Sequence, residues 1–445
     1  MNNKKITFVT LGCSKNTIDT YLMQSFVTNA SLDLTDDILK AEIIVVNTCG
    51  FIGDAKEESI DTIMEVIQYK AIGNCEKIIM TGCLAQRYSR QFYEEVPEVD
   101  AIIGTGNIDK INDAIEAIYN GERYVDTDNI NNIYPENIYR KEVKTTEYVK
   151  ISEGCNNFCS YCIIPKLRGK NRSRKIEDIY AEIKYLVSKG AREIILIAQN
   201  TTDYGIDLYG RSALSTLISE ISRIEDLKWI RIMYLYPDNF EQDLIDEFKN
   251  NDKLLNYVDL PLQHFADSVL QRMNRKLKSE DIQNLIDKLK KEIPDMAIRT
   301  TFIVGFPGET EEEFQKLYHF IERNKFDRLG VFKYSREENT PAFNMVSQIE
   351  EDVKSSRYNK IMTLQAKISE EKMNSKINRV LDVLIEEKIG NTYVGRTYQD
   401  APEIDGVCYI ENVTKNLQIG EFVKVKITDA LEYDLIGEIY DEFSK

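Results

Sequence analysis

Histidine is almost missing from this chain. Of 445 residues, only His264 and His319 are histidines. General acid–base catalysis draws on His more than on any other side chain, so that chemistry is disfavoured. Positive charge is also short: 57 Lys and Arg stand against 74 Asp and Glu, a net charge of −17. A protein that grips bare nucleic acid broadly needs the opposite balance. The acidity suits a basic protein partner, or it serves solubility alone. No uninterrupted apolar run is long enough to span a bilayer. No charged-then-apolar leader is expected either, since the chain opens on Lys4-Lys5-Ile6-Thr7-Phe8-Val9. The expectation is a soluble, cytoplasmic protein that does not meet a membrane. Internal repeats and low-complexity tracts are lacking.

Cysteine, by contrast, is plentiful, with eight residues. In an intracellular chain these read as ligands or catalytic groups before they read as disulfides. Three fall in Cys155-Asn156-Asn157-Phe158-Cys159-Ser160-Tyr161-Cys162, just after the apolar segment Tyr148-Val149-Lys150-Ile151. Three thiolates can hold three irons of a cubane cluster whose usual set is four Cys. The fourth iron is then open, as a metal position that does chemistry must be. Zinc and three buried thiols are the other readings. Zinc sites usually pair two CxxC-like hooks and close with four ligands, and neither a fourth Cys nor a His lies nearby.

A second set is spread over the first 125 residues. Cys13, Cys49 and Cys83 each lie two to four residues past an expected strand and beside a Gly: Ile6–Val9 then Gly12-Cys13, Ile43–Val46 then Cys49-Gly50, Lys77–Met80 then Gly82-Cys83. Parallel strands present their C-terminal ends along one edge, where ligands bind, so these thiols can meet. That predicts a second three-Cys cluster with its own open iron, with buried inert thiols as the other reading. Cys75 and Cys408 have no partners in pattern and are expected to be packing residues.

The length suggests three domains. Residues 1–125 alternate strands with helices such as Glu57–Ile67, which implies an open parallel α/β sheet. A polar linker is expected over 126–147, beginning Asp126-Thr127-Asp128-Asn129-Ile130-Asn131-Asn132. Over 148–343, strands ending near Ile151, Ala198, Tyr234, Leu260, Val304 and Tyr334 make six βα units, enough for a partial barrel. A charged helical linker over 344–378 leads to period-two strands over 379–445, where Val423, Val425 and Ile427 alternate with Lys424 and Lys426. These predict a small antiparallel β-barrel.

In βα barrels the active site sits at the C-terminal strand ends. Five unusual segments fall there: the Cys155–Cys162 loop, Gln199-Asn200, Leu260-Pro261-Leu262-Gln263-His264, Gly305-Phe306-Pro307-Gly308-Glu309 and Lys333-Tyr334-Ser335-Arg336. The Gly305–Gly308 turn either lets backbone approach a nucleotide or is plain turn punctuation. His264 is either functional or a satisfied structural His. Arg168, Arg172 and Arg174 are either a solvated face or an anion-binding group.

Together these residues resemble the methylthiotransferases of the radical S-adenosylmethionine (SAM) superfamily, over the whole chain. Within them the resemblance is to the RimO type, which modifies ribosomal protein twelve of the small subunit. Its carriers are Leu11-Gly12-Cys13-Ser14-Lys15-Asn16, Asn47-Thr48-Cys49-Gly50-Phe51-Ile52, Asp54-Ala55-Lys56-Glu57-Glu58-Ser59 and Tyr334-Ser335-Arg336-Glu337-Glu338. Ser14 departs from the Pro often found there. The resemblance implies an enzyme, a radical SAM barrel in the centre and a TRAM barrel at the end. It implies two 4Fe–4S clusters, on Cys155, Cys159 and Cys162 and on Cys13, Cys49 and Cys83. It implies methylthiolation of the β-carbon of one Asp in the ribosomal protein. Gln199, Gly305, Phe306, Pro307, Gly308 and Tyr334 are the expected SAM contacts. A low-potential electron donor such as flavodoxin or ferredoxin, and a sulfur donor, are the expected partners. A tRNA methylthiotransferase acting on isopentenyladenosine, or a non-catalytic iron–sulfur module, would be the alternatives. Residues 376–445 hold 8 Lys plus Arg and 14 Asp plus Glu. An acidic tail of that kind suits a basic ribosomal protein better than tRNA.

Overall fold

The run Ile43-Ile44-Val45-Val46 lies in a strand buried at every position, as a central parallel strand covered on both faces must be. It belongs to a computed structural model that describes residues 4–131, 134–135, 139–140, 142–413 and 416–440. Parts of the expected linker, including Asn132, lie outside the described residues. The first sheet contains β1 (Lys5–Thr10), β2 (Asp33–Leu34), β3 (Ile43–Thr48), β4 (Lys77–Gly82), β5 (Ala101–Ile103) and β6 (Tyr124–Asp126). Its order is β2-β1-β3-β4-β5-β6, parallel throughout. The three apolar runs seen in the sequence are its centre. The outer strands have two or three residues, too short to show a period. Helices α1 (Ser14–Asn29), α2 (Gly53–Ile72) and α3 (Cys83–Glu95) follow β1, β3 and β4.

The second sheet begins at β7 (Thr146–Lys150). A short hairpin, β8 (Ser152–Glu153) with β9 (Arg172–Ser173), and one short helix, α4 (Ile164–Arg168), carry the cysteine loop. The sheet continues through β10 (Glu193–Ile197), β11 (Trp229–Ile232), β12 (Leu254–Gln263), β13 (Ala297–Val304) and β14 (Arg328–Lys333). Its order is β14-β13-β12-β11-β10-β7, every neighbour parallel. It is a six-stranded partial barrel, open between β7 and β14. A long helix, Glu351–Asn374, leaves it.

The third unit closes a barrel from β15 (Val380–Ile389), β16 (Thr392–Arg396), β17 (Cys408–Glu411), β18 (Phe422–Ala430) and β19 (Leu435–Ile439). Four pairings are antiparallel, but β17 and β19 run parallel. The expectation of an antiparallel barrel is corrected in that one pair. An odd number of strands cannot close with every neighbour antiparallel, so one parallel pair is forced. Apolar residues of all three units share one buried cluster, including Ile6 and Met23, Ile195 and Tyr257, and Leu384. Cys75 and Cys408 are buried in the first and third units as packing residues.

Candidate active site

Three loops at the C-terminal edge of the first sheet bring Cys13, Cys49 and Cys83 together, and small residues make the approach possible. A Cβ on Gly12 would stand 2.8 Å from the Cβ of Cys49, and one on Gly82 would stand 2.4 Å from the carbonyl oxygen of Thr48. Both glycines have left-handed φ, +88° and +93°, where other residues are strained. Ser59 of α2 donates to the Cys49 carbonyl and accepts its N–H, at 2.9 and 3.0 Å. Cys49 registers the charge of both Cys13 and Cys83.

The other three thiols ride on the loop between β8 and α4. Cys155 N–H donates to Gly169 O (3.1 Å) and Cys162 N–H to Cys159 O (3.0 Å). Ser160 ties the loop to the barrel, its Oγ donating to Arg272 O at 2.7 Å and its N–H to Met273 O at 3.0 Å. Cys162 registers the charge of Cys159 and Cys155.

Burial pushes the Cys49 and Cys155 thiols up to about 11 and moves Cys83 and Cys162 upward too. Thiols held protonated by their surroundings need a cation to become thiolates. No group of three or more His, Cys, Asp or Glu among the described residues is disposed to hold a single metal ion. Two spread triads of soft sulfur donors fit multi-iron clusters instead.

A buried charge network joins the triads. Arg168, on α4 just past the cysteine loop, donates to Asp19 and Glu153 at 3.0 Å and to Asn16 Oδ1 at 2.7 Å. Its positive charge also acts on the Cys83 thiol, against the upward push of burial. Lys150 pairs with Asp19 and Glu153 at 2.5 Å each. Burial raises the Glu153 carboxyl, but Arg168 and Lys150 outweigh it and hold it well below the usual range. Arg168 and Arg174 are therefore no solvated face: Arg174 is buried on Glu182 at 2.6 Å. His264 is structural, buried with Nε2 3.2 Å from Glu309 and Nδ1 accepting from Ala266 N–H.

Of the expected SAM contacts, Gln199 reaches the network, its amide donating to Glu153 at 2.5 Å. Phe306 and Tyr334 meet edge to face at 5.2 Å, and Phe306 meets Tyr161 of the cysteine loop at 6.5 Å. Gly305 turns its bare Cα to Lys354, whose Cγ a Cβ would approach to 2.3 Å. The N–H of Gly308 donates to Ser347 O at 2.8 Å. Pro307 completes this turn before the helix Glu311–Asn324.

Sequence reasoning missed the loop after β11. There Tyr236 lies close to Cys159. The Arg275 guanidinium stacks 3.9 Å from the Tyr236 ring centre and also reaches Cys159. Both oxygens of Asp238, the hydroxyls of Tyr236 and Tyr334, Gln199 Oε1 and Asn200 Nδ2 are buried without a partner among the described residues. Orphaned polar atoms gathered at one rim fit a polar cofactor. The usable signal was position, because Tyr236 and Asp238 follow a strand end on the rim that carries the other loops.

A cleft of about 740 Å³ opens beside both triads. Phe51 and Asp54, just past Cys49, line one side. Tyr161, Ile303 and Phe332 line the other.

Comparison with known proteins accords with this arrangement. The radical SAM superfamily profile matches residues 149–321, that of the uncharacterized protein family UPF0004 matches 5–104 and that of the TRAM domain matches 377–439. A ribosomal protein uS12 methylthiotransferase RimO of Clostridioides difficile (strain 630) is 48% identical over 99% of this chain and 100% of its own. One from Thermoanaerobacter sp. (strain X514) is 48% identical over 98% of this chain and 100% of its own. Among solved structures, the radical SAM methyltransferase TsrM from Kitasatospora setae superposes with a TM-score of 0.60, at 13% identity over 76% of this chain and 77% of that one. The cobalamin-dependent SAM radical enzyme OxsB gives 0.52, at 14% identity over 83% of this chain and 56% of that one. These last two speak for the fold alone. Full-length identity near one half, on a chain whose six thiols gather as two triads, leaves one conclusion: the chain belongs to the RimO family of radical SAM methylthiotransferases.

Proposed function

We propose that this enzyme transfers a methylthio group to the β-carbon of one aspartate of small-subunit ribosomal protein twelve. The observation that carries the reading is one cleft lined from both cysteine loops, by Phe51 just past Cys49 and by Tyr161 between Cys159 and Cys162. Cys155, Cys159 and Cys162 would hold one 4Fe–4S cluster, and Cys13, Cys49 and Cys83 a second. When bound, the clusters and SAM supply reductive cleavage, a hydrogen-abstracting radical, sulfur and a methyl group. The chain's own residues position and enclose. Gln199, Asn200, Tyr236 and Asp238 offer orphaned polar atoms to SAM, with Phe306 and Tyr334 as an apolar wall. Ser160 and Ser59 fix the two cysteine loops. The apolar lining of the cleft excludes water from a reactive site.

Protein fits better than tRNA as substrate. The relatives' name carries a ribosomal protein, and the tail barrel is acidic. No helix among the described residues is long and apolar enough to cross a membrane. A low-potential electron donor and a sulfur donor complete the cycle, and cytoplasm is the compartment that holds the substrate.

The test is anaerobic reconstitution with SAM, reductant and the ribosomal protein, read by mass spectrometry with fragmentation. One methylthio increment on a single Asp is expected. Cys155→Ala should abolish deoxyadenosine formation. Cys49→Ala should spare it and stop sulfur insertion. Full methylthiolation by Cys49→Ala would overturn the division of labour. Deoxyadenosine formed with no increment on the protein would send the substrate search to tRNA.

A further inference from the structure

The strongly buried cations around the triads have acidic partners, with one exception on the N-terminal side. Lys150 and Arg168 share Asp19 and Glu153, Arg174 has Glu182 and Arg87 has Glu337. Lys15 has none among the described residues. It is only 8% exposed, and its ammonium lies over the ring of Tyr234, 3.0 Å from the centroid. A ring face offsets part of the cost of burying an ammonium, but a buried charge calls for an opposite charge.

The place matters as much as the vacancy. Lys15 is two residues past Cys13, in the first turn of α1. Its neighbour Asn16 is tied to Arg168. Tyr234 stands at the C-terminal end of β11 with a left-handed φ of +61°, its N–H held by Asp259 at 3.0 Å. Two residues further on, Tyr236 lies close to Cys159. The ammonium therefore bridges from the loop of one triad to the rim of the other. A carbon that must lose hydrogen near one triad and gain sulfur near the other has to lie between them. In an aspartate, that β-carbon is one bond from the carboxylate.

We propose that Lys15 is a specificity-determining residue that receives the side-chain carboxylate of the target aspartate. This rests on the function proposed above. A charge-assisted pair in a water-poor site discriminates strongly, because the neutral analogue leaves the ammonium unmatched. Asparagine and uncharged nucleobases are rejected by the same device. The negative charge of SAM or of a cluster at Cys13 is the competing partner, and the experiment separates them.

The measurement is equilibrium binding of ribosomal protein twelve, in its native form and with the target Asp replaced by Asn, to the reconstituted full chain with SAM and no reductant. The native enzyme should prefer the Asp form by about ten- to a hundred-fold, the range of a hydrogen-bonded charge. Lys15→Met keeps an unbranched apolar stem against Tyr234 and should bind both forms equally, at the level of the native enzyme with the Asn form. Lys15→Arg should keep part of the preference. SAM affinity and iron content should stay unchanged in both variants. Equal loss for the two forms in Lys15→Met, a retained preference, or loss of SAM affinity or iron would each overturn the inference. A native enzyme that binds neither form overturns the substrate reading, and this inference with it. A native enzyme that modifies Asp yet binds both forms alike overturns this inference only.

Discussion

Gly82 shows how much of the N-terminal triad depends on a missing side chain. Its φ is +93°, and a Cβ there would meet the carbonyl oxygen and the amide nitrogen of Thr48 at 2.4 and 2.8 Å. Gly121 has a similar φ of +86° but nothing within 4 Å. Gly121→Ala should therefore cost only the left-handed strain, about 1 kcal/mol. Gly82→Ala adds a backbone clash that no rotamer can relieve, and should cost about 2–4 kcal/mol. Urea midpoints compare the two directly. If the triad holds a cluster, Gly82→Ala should also lower iron content after reconstitution while Gly121→Ala does not. Equal effects would show that the close approach at Gly82 is unimportant. The strand–Gly–Cys repetition made these thiols legible in the sequence, because each signal is local. The unmatched ammonium of Lys15 was not legible. The ring beneath it, Tyr234, is supplied by another unit of the fold.

At the scale of elements, the carboxylate of Glu337 clamps the loop after β14 to helices α2 and α3 of the N-terminal unit. Glu337 receives Arg87 of α3 at 2.8 Å and Lys56 of α2 at 2.9 Å, and Ser335 at 2.7 Å. Burial raises this carboxyl, but Lys56, Ser335 and Arg87 together pull it below the ordinary value. Arg87 also donates to Gly50 O at 3.0 Å, so the clamp reaches the Cys49 loop. Arg87 is 3% exposed in its side chain and Lys56 is 21% exposed. Glu337→Ala strands a buried guanidinium and should cost about 3–5 kcal/mol. Lys56→Met leaves Arg87 in place and should cost about 1 kcal/mol or less. Chemical denaturation of both variants tests the ranking, and equal costs would mean that Arg87 is served by solvent. Both partners lie in segments that the sequence reading singled out, Asp54–Ser59 and Tyr334–Glu338. Their contact was invisible there because 281 residues separate Lys56 from Glu337. Element order and type follow from local periodicity. The pairs that fix one element to another do not.

At the scale of the molecule, the terminal barrel is latched to the central sheet by buried charge rather than by apolar packing alone. Arg396 reaches Glu193 and Glu386 at 2.5 and 2.6 Å, and Arg231 holds the other oxygen of Glu193 at 2.8 Å. The two arginines outweigh burial and hold the Glu193 carboxyl down at about 2. Arg328 pairs with Asp400 close by. Beside this latch sits Lys376, 6% exposed, whose ammonium meets the sulfur of Met373 at 4.0 Å and has no acidic partner in hydrogen-bond range among the described residues. Burial pulls its pKa from 10.5 to about 8, helped by Arg328 and Lys372 and opposed by Asp400 and Asp327. Between pH 8 and 10.5 the unfolded chain then binds the proton that the folded chain has given up. Stability contributed by this group must rise with pH across that window and be absent below it. Lys376→Met removes the titration and keeps an apolar stem. It should stabilise the protein by about 1–3 kcal/mol at pH 7, with the advantage shrinking steadily between pH 8 and 10.5. Thermal melts of both proteins over that range check the sign. An advantage that does not change with pH would mean that Lys376 stays charged in the fold, matched by Asp400 across the junction.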